Sequence, residues 1–89
     1  MKELEELGDR VRRQRVAQGL KQQELAAKAA VSKHVLSALE NGRSVTTESL
    51  ARVLQGLGFP EALMNVLPAP VPSPIELQKL AGKQRQRVR

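Results

Sequence analysis

Lys33, His34, Ser37 and Ala38 are spaced to fall together on one side of a helix, with Leu36 and Leu39 on the other. An ammonium, an imidazole and a hydroxyl on one face suit proton transfer, metal ligation or hydrogen bonding to a partner. A catalytic His34 would need a plausible nucleophile or a carboxylate partner on the same face, and it lacks one. The chain has no cysteine and a single histidine, which excludes disulfides and thiolate sites and leaves too few ligands for zinc. Glu3, Glu5 and Glu6 cluster at the start of an amphipathic run, where acids suit an exposed first helical turn rather than catalysis. The expectation is therefore no enzyme, no metal and no cofactor, but a polar face free to touch a partner.

The elements that carry this face lie between Leu20 and Gly42. Leu20, Leu25, Ala26 and Ala29 form one short helical set, and Val31, Leu36 and Leu39 form another. Only Ala30, Val31 and Ser32 remain to connect them, and so short a link turns the second helix across the first, the geometry of a helix-turn-helix. Ser32 is well placed to cap the second helix, about Lys33 to Asn41. Ala26 must be small, because the two helices cross there.

LKQQELA from Leu20, Val31-Ser32, Leu36, and LENG from Leu39 to Gly42 resemble the DNA-binding domain of the Xre/Cro-type phage-repressor family. The wider similarity runs from about Leu7 to Gly58. It implies an all-α, compact five-helix repressor-like domain whose second motif helix enters the major groove. On that docking Lys33, His34 and Ser37 meet base edges, with Lys33 able to donate to guanine O6 and N7 and Ala38 close to a thymine methyl. Lys21 and Gln22 open the preceding helix toward the DNA backbone, where its free N–H groups suit a phosphate. Asn41 and Arg43 resemble the family's phosphate clamps, and Arg15 resembles the arginine that pairs with the glutamate of LENG, here Glu40. The expected DNA-contacting set is thus Lys21, Gln22, Ser32, Lys33, His34, Ser37, Ala38, Asn41 and Arg43. Rival readings leave His34 exposed without a role and Arg15 facing solvent. The sequence departs from the family pattern at Ala30, where glycine is usual in a turn needing positive φ, and at Gln14, where leucine is usual; Gln14 is expected at the edge of the core.

Charge agrees with a polyphosphate partner. The net charge of +6 is uneven: residues 1–9 carry −3, residues 10–43 carry +6, residues 44–78 carry −2 and residues 79–89 carry +5. The first basic block coincides with the motif. With Phe59 the single aromatic residue among 89, the core must be Leu, Val and Ala, a helical composition. No apolar run approaches the length of a membrane span, and the acidic start is unlike a signal sequence, so a cytoplasmic address is expected.

Around the motif, helix 1 is predicted from about Glu3 to Ala17, with Leu4, Leu7 and Val11 buried and Gly19 as its stop. Helix 4 follows a cap at Thr46 or Thr47, with Leu50, Val53, Leu54 and Leu57 as its buried stripe and Gly58 at its end. A fifth helix is predicted from Pro60 to about Leu67. Its Leu63, Met64, Val66 and Leu67 are more apolar surface than so small a domain needs, and are expected at a homodimer interface; the alternative is that they complete the monomer core. Residues 1–67 form the expected DNA-binding domain and residues 68–74, PAPVPSP, a stiff proline-rich linker. Residues 75–89 follow as a short helix, starting at about Pro74 and running to Ala81, and a basic arm, read most simply as disordered.

These features point to a homodimeric, sequence-specific double-stranded DNA-binding transcriptional regulator, most economically a repressor on a palindromic operator. An elaboration similar to the HipB-type antitoxins would add a HipA-like kinase toxin as partner, held by the C-terminal helix or arm. A rival of another class is a protein-interaction module that has kept the fold and lost DNA binding.

Overall fold

The computed structural model describes residues 1–71 of the chain. They form four α-helices, α1 (Lys2–Ala17), α2 (Gln22–Ala29), α3 (Lys33–Glu40) and α4 (Thr47–Gly56), followed by a 3-10 turn at Leu63–Asn65, with no strand among them. Val11 of α1, Leu25, Ala26 and Ala29 of α2, Leu36 and Leu39 of α3, and Val53 and Leu57 at α4 make the buried core. Leu7, Leu20, Val31, Val45 and Leu50 pack around it.

The helix starts are written locally. Ser32 Oγ accepts the Val35 N–H at 3.0 Å and Thr46 Oγ1 accepts that of Ser49 at 3.1 Å, each satisfying a donor that the first helical turn leaves free. At α2 the Glu24 carboxylate accepts the Lys21 N–H at 2.8 Å.

All four helices end in the same way. After α1 the Gly19 N–H bonds back to Val16 and the Leu20 N–H to Arg15, and the same pair of bonds recurs at Gly42 and Arg43 after α3 and at Gly58 and Phe59 after α4. These are Schellman endings, which need a left-handed residue. Glycine supplies it three times; after α2 it is Ala30, at φ 58° and ψ 41°. The motif's turn therefore keeps its left-handed residue at the strain of a Cβ, about 1 kcal/mol, and the Arg52 guanidinium donates to the Ala30 carbonyl at 3.1 Å.

Two glycines within helices set how closely the helices cross. At Gly8 a Cβ would collide with the Leu39 carbonyl and lie 2.9 Å from that of Glu40, so α1 rests directly on the end of α3. At Gly56 a Cβ would stand 3.1 Å from that of Ala29, where α4 rests on α2. Gln18 Nε2 donates to the Leu57 carbonyl at 2.8 Å and joins the ends of α1 and α4.

Two expectations need correction. The predicted fifth helix is not an α-helix: the backbone bonds of Ala62, Met64, Asn65 and Val66 each reach three residues back. An eight-residue helix offsets the cost of nucleation only by packing an apolar face, as α2 and α3 do, whereas Met64, Val66 and Leu67 are exposed, and Leu67 precedes Pro68, which disfavours helical backbone there. Gln14 is exposed rather than at the core edge, because Leu7, Val11 and Arg15 form the inner row of α1 and Gln14 falls beside Arg10, Arg13 and Ala17 on its outer side. The helix expected at Pro74 to Ala81, the basic arm and any toxin contact on residues 75–89 lie outside the described residues.

Candidate nucleic-acid interface

Three residues, Ala30, Val31 and Ser32, separate α2 from α3, and Leu36 and Leu39 are buried beneath α3. The other side of α3 is therefore outward: Lys33 and His34 are exposed, and Ser37 and Ala38 half-buried. Lys21 and Ser32 are exposed at the two helix starts, as are Asn41 and Arg43 just past the end of α3, and Gln22 is half-buried. Asn41 Nδ2 donates to the Ser37 carbonyl at 2.8 Å, so its amide lies back along α3.

Beneath this surface sits one charged group. Glu40 is 8% exposed, and both its oxygens are engaged. Arg15 Nε donates to one at 2.7 Å; Arg15 Nη2 at 3.1 Å and Gln22 Nε2 at 3.0 Å donate to the other. Arg15 Nη1 then donates to the Leu20 carbonyl at 2.8 Å. This network ties α1, the start of α2 and the end of α3 together around a planar, two-pronged ion pair. It also gives Gln22 a definite partner: one of its amide hydrogens is taken by Glu40. Glu24 likewise occupies the Lys21 N–H, so the start of α2 has less left for an anion than its sequence implies.

The basic block divides in the same way. On α1, Arg10 pairs with Glu6 at 2.8 Å, and Arg12 and Arg13 both pair with Asp9. The hydrogen bond from Arg13 holds the Asp9 carboxyl below the usual aspartate range. Exposed pairs such as these contribute little energy, but they offset charge locally. Among the described residues Lys21, Lys33 and Arg43 have no carboxylate within salt-bridge distance, and all three border the outward side of the motif.

Two larger recesses flank α3, besides one of about 190 Å³ at its start bordered by Ala30, Val31, Ser32, Val35, Glu48, Ser49 and Arg52. One, of about 460 Å³, is polar and bordered by Glu5, Asp9, Arg12, Arg15, Gln22, Glu40 and Asn41. The other, of about 420 Å³, lies between α3 and the following loop and is bordered by His34, Val35, Ala38, Ser44, Val45, Thr46 and Ser49. Of the expected site residues, Gln22, Asn41 and the Arg15–Glu40 pair border the first recess and His34 and Ala38 the second, whereas Lys21, Ser32, Lys33, Ser37 and Arg43 border neither. The sequence reading assigned nothing to Val45 or Arg52, whose roles depend on the α3–α4 loop and on α4 coming back to the motif.

Leu63 is half-buried, whereas Met64, Val66 and Leu67 are 80%, 70% and 79% exposed. The latter three do not complete the monomer core. No group of His, Asp or Glu among the described residues is arranged to hold a metal ion, and no helix among them is long and apolar enough to cross a membrane.

The helix-turn-helix domain family matches residues 6–67, which takes in all of α2, α3 and α4 and most of α1. No curated protein and no solved structure matches the chain.

Proposed function

The chain belongs to the helix-turn-helix domain family, and from that premise we propose that it is a sequence-specific double-stranded DNA-binding transcriptional regulator, acting as a homodimeric repressor on a palindromic operator. The observation that carries this reading is the outward side of α3: Lys33 and His34 exposed, flanked by Lys21 and Arg43, on a helix whose other side is locked into the core. Lys33 is suited to guanine O6 and N7, while His34 and Ser37 donate or accept. Arg43, Asn41 and Lys21 act on phosphates and set register rather than sequence.

The dimer rests on Met64, Val66 and Leu67. Three apolar side chains exposed within four residues are what a second copy would cover, and a two-fold pair matches the symmetry of a palindromic site.

Selection of bound fragments from random duplex DNA, followed by titration of the enriched site at two salt concentrations, tests the proposal. The expected result is an enriched palindrome, with preference relaxed at one position per half-site in His34→Ala. Arg43→Gln should weaken all sequences alike and reduce the salt slope by about one. Binding without enrichment, abolished by moderate salt, would sink the reading and leave phosphate attraction alone. A protein-interaction module would keep its function when Lys33 and Arg43 are reversed in charge.

A further inference from the structure

Met64, Val66 and Leu67 are 80%, 70% and 79% exposed, and the chain leaves them through Pro68 to Val71, which are exposed and belong to no helix or strand. Three side chains of this kind present roughly 200–350 Å² of apolar surface. A stable interface takes about 800 Å² from each partner, so this patch laid against itself in a second copy covers too little. More apolar residues follow just beyond the described part of the chain: Ile75, Leu77 and Leu80 are the large ones among residues 72–87. Between the two sets stands a proline at every second position, Pro68, Pro70, Pro72 and Pro74.

That spacing decides which patch the second set can reach. Each proline fixes its own φ and disfavours helical backbone in the residue before it, so residues 68–74 favour an extended path of about 3.1 Å per residue, roughly 20 Å in all. The helix that the sequence predicts after it is about 10 Å long over residues 75–81. Folded straight back along the linker, it would still end roughly 10 Å short of Leu67. A linker that carries its apolar residues away from their own chain's patch presents them to a second copy. We propose that Ile75, Leu77 and Leu80 of each copy cover Met64, Val66 and Leu67 of the other, so that the homodimer is closed by exchanged C-terminal segments. Two-fold symmetry makes the contact twice and roughly doubles the apolar area that each copy contributes. The inference rests on the homodimer of the proposed function, and it names the part of the second copy that covers the patch.

The test uses the full chain. Ile75→Ser with Leu80→Ser should weaken self-association in sedimentation by at least about a hundredfold, as much as Met64→Ser with Leu67→Ser. All four changes together should weaken it no further, because both pairs remove the same contact. The chain has no cysteine, so two single variants, Met64→Cys and Leu77→Cys, can be mixed and oxidised. A disulfide joining one variant to the other is expected, since exchanged segments bring the two positions close enough for a bridge. Disulfides between Met64→Cys chains alone would mean that patch lies on patch, and would overturn the inference. A monomer closed by an internal disulfide, in the chain carrying both substitutions, would overturn it too, by placing the segment on its own patch. Undiminished association in the Ile75 and Leu80 variant would overturn it and leave a homodimer held by another contact. A wild-type chain that stays monomeric both free and on DNA would instead overturn the homodimer itself, and this inference with it.

Discussion

Residues 1–58 and residues 59–71 solve the same problem, covering leucine, valine and methionine, in opposite ways. In the first region every large apolar residue of the core has a neighbour from another helix: α1 on α3, α2 on α4, with Gly8 and Gly56 letting the backbones approach. In the second Met64, Val66 and Leu67 project into solvent from short 3-10 bonding. Every buried residue of the core cluster thus comes from residues 1–58. The apolar surface that follows is available for association.

The sharpest way to break the first region is at its single buried acid. Glu40→Ala leaves the Arg15 guanidinium buried without its carboxylate and frees Gln22, a loss expected to cost about 3–5 kcal/mol. In a domain of this size such a loss removes a large part of the total stability, and denaturant unfolding would measure it. Replacing both partners, Arg15→Met with Glu40→Leu, should recover most of it, since no charge is then stranded. If Glu40→Ala unfolds like wild type, the network is not what holds α1 to α3.

The second region should answer differently. Met64→Ser with Leu67→Ser removes two exposed apolar side chains, each worth about 1.5–3 kcal/mol when fully covered. Unfolding of the dilute monomer should hardly change, while sedimentation should show self-association weakened by at least about a hundredfold. Equal association in wild type and variant would place the dimer contact elsewhere.

How much of this could be read from the sequence follows the range of each interaction. The four helices, the Ser32 and Thr46 caps and the stop at Gly19 are local, set within a few residues, and the periodicity of Leu and Val displays them. The proximity of Arg15 to Glu40, distant in the chain, came from resemblance rather than spacing. Gly8 left a trace, an isolated glycine inside a helical pattern, but its meaning depends on which backbone lies against it. Arg52 at the Ala30 carbonyl, Gln18 at that of Leu57, and Gln22 at Glu40 are long-range side-chain bonds with no sequence signature. Pro60 and an apolar run look like the start of a fifth helix, but a helix so short needs a packing surface that the described chain does not supply. The site divides likewise: the outward residues of α3 follow from periodicity, and the recess at Val45 does not.

A smaller effect sharpens the comparison from within the motif. The other three helix endings use glycine and this one uses Ala30, so Ala30→Gly should relieve left-handed strain of about 1 kcal/mol or more, less the extra chain entropy glycine loses on folding. A net gain of a few tenths to about 1 kcal/mol is expected in thermal unfolding, with DNA binding retained. A loss of stability would mean that Arg52 and the packing around the turn already compensate the alanine.

The smallest effect concerns acid. Arg13 and Arg12 lower the Asp9 carboxyl pKa in the folded chain relative to the unfolded one, so folding favours the ionised form. The contribution is therefore complete above the unfolded-state value of about 4, and it is lost as the pH falls through the lower folded-state value. The difference in melting temperature between wild type and Asp9→Asn should be constant from neutral pH down to about 5 and shrink below about 4. It should also shrink with added salt, because the pair is at the surface. The Met64 and Leu67 variant should keep the wild-type acid response, since no titrating group in residues 59–71 pairs with Asp9. A parallel acid response in Asp9→Asn and wild type would show that the α1 pairs carry no pH dependence, and would leave local charge cancellation as the role of Asp9.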